Sequence, residues 1–226
     1  MKKLLLLFIV SILGIGLNAQ YCSSVADTTA SHDITMVNIA GIGGTINNSS
    51  ACFSLTGSQG VASGTSVAGR YSDFTTATSI PVPKLRMGNV YTLYVKSKNC
   101  STNSYGGIKM AFFDWNHDGD FIDSNEKYII NASYSTDTLN SIDVMVPYGS
   151  YVGVTRMRIV YRMTTSISSM NSCGMTTNAG ETEDYNVSVL ACNQQVSITK
   201  SGTGTGTTLY ANINPVDTTL TYTFQW

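Results

Sequence analysis

From residue 21 onward, apolar and polar side chains alternate with a period of two in short runs, the pattern of strands that set one face on a core. The clearest runs are Val90 to Ser97, which aligns Tyr91, Leu93 and Val95, and Ile108 to Phe113. Ser141 to Val146 aligns Ile142, Val144 and Val146; Thr155 to Tyr161 follows; Tyr185 to Leu190 aligns Tyr185, Val187 and Val189. Ile34 to Ile39 adds a sixth. Gly, Asn, Ser and Asp punctuate these runs, and no segment holds the 3.6-residue period over a useful length. Strands in such succession predict an all-β chain, an antiparallel β-sandwich of jelly-roll type. A parallel α/β sheet would need helices between its strands.

The first residues follow another pattern. Met-Lys-Lys precedes an apolar run from Leu4 to Leu13, broken by Ser11, and Leu17-Asn18-Ala19 leads into Gln20. Residues 1–19 therefore read as a signal peptide, because the run is too short to span a bilayer stably. An uncleaved anchor is the alternative, disfavoured by the polar exit from Asn18 to Tyr21. The expected product is a secreted chain with no membrane insertion after cleavage. Its length of about 207 residues exceeds one usual sandwich domain. Residues 20–192 form the expected sandwich, and 193–226 a second unit. There Val196 to Thr199 and Leu209 to Ile213 flank a Ser-Gly-Thr-Gly-Thr-Gly-Thr turn, and Leu220, Tyr222, Phe224 and Trp226 share one face. Immunoglobulin-like sandwiches bury a Trp on their third strand, so 193–226 reads as the truncated start of an Ig-like domain. A hairpin packed on the first domain is the alternative.

Charge narrows the partners. Without Lys2 and Lys3, 11 basic residues face 14 acidic ones, with no basic cluster to neutralise a run of phosphates, so nucleic acid is excluded as a partner. Five cysteines stand far apart without C-x-x-C spacing, and in an exported chain disulfides are the expected use. The pairings expected are Cys52 with Cys100 and Cys22 with Cys173, although spacing alone does not dictate connectivity. Cys192 is left over.

The strongest chemical signal lies between Phe113 and Lys127. Asp114, Asn116, Asp118 and Asp120 occupy loop positions one, three, five and seven, with Gly119 at six, close to the calcium pattern of the EF-hand. Calcium takes six to eight hard oxygen ligands, and glycine permits the sharp reversal between them. Five of the 14 acidic residues fall in these 13 positions, where they repel one another unless a cation is present. Asn125 stands where an EF-hand has its bidentate Glu; Glu126 follows one residue late, and Asp123 is a second candidate to close the shell. The flanks read as strands, so the loop is expected to be a structural clip with calcium as cofactor, and not a sensor that opens a helix pair. Magnesium prefers few protein ligands, and a solvated acidic turn is the bland alternative. His117 sits among hard carboxylates, which suit calcium better than zinc, and is expected to be exposed. His32 lies near no such cluster in sequence.

A second constellation stands downstream. Arg156 and Arg158 share parity opposite Met157, Ile159 and Tyr161, while Glu181 and Glu183 share parity in Gly180-Glu-Thr-Glu-Asp184-Tyr185, which leads into the last strand. A ladder of Arg–carboxylate pairs across neighbouring strands fits this spacing and would pin the register.

Taken together, Asp-Trp-Asn-x-Asp-Gly-Asp-Phe, Thr-Arg-Met-Arg and Gly-Glu-Thr-Glu-Asp-Tyr resemble the GEVED domain of secreted bacterial proteins, with Thr182 in place of its Val. Tyr21-Cys22, Gly44 to Asn48 and Tyr71 to Thr75 agree, and the resemblance covers about residues 21 to 190. It implies an extracellular β-rich module in multidomain surface or exported proteins, often beside peptidase, adhesive or Ig-like domains and often followed by a type IX sorting domain. No such sorting domain is recognised in these residues.

Three functions compete. A calcium-stabilised accessory module would engage extracellular polysaccharide or protein beside neighbouring domains. An architectural spacer would hold a secreted hydrolase away from the membrane. A hydrolase would use Glu181, Glu183 and Asp184 as acid and base; the chain lacks H-E-x-x-H, G-x-S-x-G and a Cys–His pair, so no catalytic residue is assigned.

Overall fold

The computed structural model describes residues 21–22, 24, 32–50, 52, 71–100, 105–135, 137–174, 179–193, 195–201 and 208–214. The expected signal peptide and the apolar strand from Leu220 to Trp226 lie outside these. Nearly all regular structure is strand: β1 (His32–Gly41), β2 (Gly44–Ser49), β3 (Tyr71–Asp73), β4 (Lys84–Arg86), β5 (Val90–Asn99), β6 (Gly107–Phe113), β7 (Lys127–Ser135), β8 (Thr138–Met145), β9 (Gly153–Arg162), β10 (Gly180–Leu190), β11 (Gln195–Ser201) and β12 (Thr208–Asn214). One short 3-10 turn spans Ile167–Ser169. Among the described residues, no helix is long and apolar enough to cross a membrane.

The alternation builds a sandwich. One sheet runs β2-β1-β5-β8 and the other β3-β10-β9-β6-β7, with β4 also on β10. Val37, Ile39, Leu93, Val95 and Val144 from the first sheet meet Phe113, Met157, Ile159, Tyr161, Tyr185, Val187 and Val189 from the second in one fully buried core. The aligned positions of β5, β8, β9 and β10 thus supply this core, as their period requires. Burying that much apolar surface is the main driving force for joining the sheets.

Three features depart from the alternation-based expectation. The second sheet is mixed: β3 lies parallel to Thr182–Asp184 and β4 parallel to Ser188–Leu190, along one edge of β10. β2, β3 and β4 were not expected, because runs of three to six residues rich in Asn, Ser and Lys carry too little period. And β10 begins at Gly180, so the acidic motif is the first half of the last sandwich strand and does not merely precede it.

The centre of the second sheet is buried on both faces. Its outer side carries a smaller core of Ile108, Met110, Phe112, Phe121, Val160 and Met170, with Tyr21 packed against it. Every residue of β6 is consequently buried, including Lys109. Two disulfides, Cys22–Cys173 and Cys52–Cys100, close the expected pairs with Cα separations of 5.5 Å, and Cys192 keeps a free thiol. β11 and β12 form a two-stranded sheet of their own.

Candidate metal loop and its supports

The loop from Asp114 to Glu126 joins β6 to β7 and is fastened at both ends. Phe113 N–H donates to Glu126 O at 2.9 Å, and Asp114 N–H donates to Arg156 O of β9 at 3.0 Å. In between, Phe121 drops into the outer core, fully buried and 6.1 Å from Phe112 between ring centroids. This apolar plug explains why an otherwise polar segment takes one shape.

Within the loop, the side chains of Asp114, Asn116, Asp118 and Asp120 cap backbone further on, the local habit of Asp and Asn in turns. Asp114 is fully buried; Oδ1 accepts from Asp118 N–H at 3.2 Å and Oδ2 from Gly119 N–H at 3.1 Å. Asn116 Oδ1 accepts from Asp118 N–H, Asp118 Oδ1 from Asp120 N–H, and Asp120 Oδ1 from Ile122 N–H. Gly119 sits at φ 92°, a conformation that glycine adopts without a Cβ penalty, and His117 at φ 61°. The carboxylates of Asp118, Asp120 and Asp123 converge, with one oxygen from each within 4.8 Å of the others. Asn116 Nδ2 bridges two of them, donating to Asp118 Oδ2 and Asp123 Oδ2 at 2.8 Å each.

Of the six residues with expected ligand chemistry, Asp114, Asn116 and Glu126 stand outside that trio, and Asp114 and Glu126 are buried. Glu126 is 1 % exposed. Its Oε1 accepts from Trp115 N–H at 2.8 Å, while Oε2 is buried with no hydrogen-bond partner. Burial pushes this carboxyl up to about 7; the backbone amides of Trp115 and, more weakly, Asn116 oppose the shift, and the charges of Asp114 and Asp123 add to it. His117 is exposed, as expected, and stacks on Tyr151 with centroids 4.4 Å apart.

Two supports escaped the reading of the loop alone. Tyr21 donates its hydroxyl to Asp114 Oδ2 at 2.6 Å and lies against Phe121, and the Arg156 guanidinium sits 4.2 Å over its ring. Thr155 Oγ1 donates to Asp114 O. Tyr21 stands 93 positions before Asp114, so no local pattern links them; the Tyr21-Cys22 pair was the only available signal.

The arginine ladder forms with different partners. Asp184 lies directly opposite Arg158 in the β9–β10 register, and cross-strand partners share a face. Arg158 Nε donates to Asp184 Oδ1 at 2.7 Å and its terminal nitrogen to Oδ2 at 2.8 Å, a bidentate pair at 1 % and 0 % side-chain exposure. Arg156 adds a bond to Asp184 Oδ2 at 3.0 Å. The remaining Arg158 nitrogen donates to Ser172 O at 2.7 Å and Cys22 O at 3.0 Å, on either side of the Cys22–Cys173 bridge. Glu181 and Glu183 have the opposite parity, that of Tyr185 and Val187, and so turn into the sandwich. Glu181 accepts from Ile34 N–H of β1 and from Ser72 Oγ, and Glu183 accepts from the Tyr185 hydroxyl at 2.8 Å. Both are essentially unexposed, which closes them to a substrate. The expected Glu181 and Glu183 pairs with arginine are thereby corrected to a single shared carboxylate, Asp184.

No curated protein matches the chain. Residues 110–188, which hold the acidic loop, both arginines and the Gly180–Tyr185 motif, match the family model of the GEVED domain, and over that span the chain is similar to this domain.

Proposed function

We propose that this chain is a non-catalytic extracellular accessory module of a multidomain secreted or surface protein, in which the loop Asp114–Glu126 holds a structural calcium ion. Glu126 carries the reading. A carboxylate oxygen buried without a partner is costly unless a cation satisfies it, and Glu126 feels the charges of two further loop carboxylates, Asp114 and Asp123, the latter one of the converging three. The donors are all hard oxygens, the set calcium prefers. Asp114, Asn116, Asp118, Asp120, Asp123 and Glu126 are the ligands we assign. Each carboxylate retains acceptor sites beyond the hydrogen bonds it already takes.

The likeness to the GEVED domain supports an accessory role, the two disulfides support an oxidising compartment, and the burial of Glu181 and Glu183 argues against carboxylate catalysis. The hairpin β11–β12 is read as the opening of a following Ig-like domain.

Calcium titration followed by tryptophan emission and by melting temperature tests the site. Extracellular calcium modules bind near 10⁻⁴ to 10⁻³ M, and at roughly tenfold saturation binding would add about 1.4 kcal/mol. Magnesium at equal concentration should give a smaller effect. A melting point and emission unmoved by calcium would remove the site.

A further inference from the structure

Next to the acidic loop lies an open pocket of about 220 Å³. One side is Asn116, Asp123 and Glu126; the other is the turn Pro147 to Ser150. The turn is held in place: Tyr151 N–H donates to Trp115 O at 2.7 Å, Ser150 Oγ donates to Pro147 O at 2.8 Å, and Gly149 takes φ 82°. Ser124 and Asn125, both exposed, complete the rim. The partnerless Glu126 Oε2 belongs to a side chain that lines this pocket.

We propose that this pocket is a sugar subsite, in which one pyranose unit of a surface glycan enters between the acidic loop and the 147–150 turn and two neighbouring hydroxyls complete the oxygen shell of the calcium ion. The inference rests on the calcium reading above. Calcium takes six to eight oxygens, and a turn of this length leaves some positions to water or ligand. Those open positions face the pocket, because Asn116, Asp123 and Glu126 are both proposed ligands and pocket wall. At ~30 Å³ per water the space equals about seven waters, on the scale of one sugar ring. Two carboxylates and no lysine or arginine line it, which disfavours an anionic ligand and suits neutral hydroxyls. Tyr151, the residue that follows the turn, is 46 % exposed and backed by His117, and offers an aromatic face for the C–H side of a ring.

The test titrates the full chain calorimetrically with calcium, then titrates the calcium-loaded protein with the methyl glycosides of mannose, galactose, glucose and fucose, with and without excess EDTA. A Ser124→Trp variant fills the pocket from an exposed position outside the proposed ligand set. One glycoside should bind the loaded protein, bind at least about tenfold more weakly in EDTA, and lose binding in Ser124→Trp while the calcium isotherm is unchanged. Calcium heat without any glycoside heat would overturn the subsite and leave the calcium loop standing. Glycoside binding indifferent to EDTA or to Ser124→Trp would overturn it too, and absence of calcium heat at the outset would sink both readings.

Discussion

Replacing Asp184 by Asn should be among the most destabilising single changes to the sandwich. The carboxylate is fully buried and takes four hydrogen bonds: two from Arg158 at 2.7 and 2.8 Å, one from Arg156 at 3.0 Å and one from the Tyr71 hydroxyl at 2.9 Å. Burial acts to lower the Arg158 pKa, but the hydrogen bond and charge of Asp184 outweigh it and raise it, so the guanidinium stays charged. An amide removes the countercharge, turns an N–H₂ group towards other donors, and leaves a cation at 1 % exposure uncompensated. Breaking one partner of a buried pair costs about 3–5 kcal/mol. For a domain of this size, about 2–4 °C per kcal/mol gives a fall in melting temperature on the order of 10 °C. Urea denaturation followed by tryptophan emission measures it without screening the charges, and calorimetry checks two-state behaviour. Combining Arg158→Met with Asp184→Leu should recover only part of the loss, because Ser172 O and Cys22 O then lose their donor. Glu183→Gln, one position away but on the inner face, still accepts from Tyr185 and should cost under about 1 kcal/mol. If Asp184→Asn proves as mild as Glu183→Gln, the pair does not hold the strands as argued.

Three further outcomes are expected. Glu126→Gln keeps an acceptor for Trp115 N–H and removes a buried charge, so in EDTA it should melt at or above the parent temperature while losing most of the calcium-induced increment; an increment equal to the parent's would take Glu126 out of the shell. Tyr21→Phe keeps the contact with Phe121 but drops the bond to the Asp114 carboxylate, which should lower stability by about 1.5–3 kcal/mol in urea; an unchanged midpoint would mean that Tyr21 does not brace the loop. Lys109 donates to Ser97 Oγ and to Thr138 O and Oγ1, and burial pushes its ammonium down to about 8 from 10.5. Between those values the unfolded chain binds the extra proton, so stability should rise with pH through that window, by up to about 3 kcal/mol. The rise should vanish in Lys109→Met, and a parent and variant with parallel pH curves would contradict it.

Alternation along β1, β5, β8, β9 and β10 made the sandwich legible, since a side chain's face follows from its count along a strand whatever the neighbours are. The acidic loop was legible for a similar reason. Its residues lie within one turn of chain, where spacing alone decides which oxygens can converge. Parity also placed Glu181 and Glu183 together, and Arg156 and Arg158 together, without error.

Which face meets which was another matter. The pairing of Arg158 with Asp184, and not with Glu183, depends on the register of β10 against β9, and the second sheet's outer core depends on Met170 and Tyr21 arriving from remote segments and on Phe121 folding back from the loop. β3 and β4 are too short to announce themselves and exist only because β10 offers them an edge. Local sequence thus determined the longer strands, their inward faces and the oxygen-rich turn. The partners of the buried charges, the brace from Tyr21 and the wall facing Glu126 were decided by tertiary packing, because contacts between residues tens of positions apart are set by how whole sheets and loops close over one another.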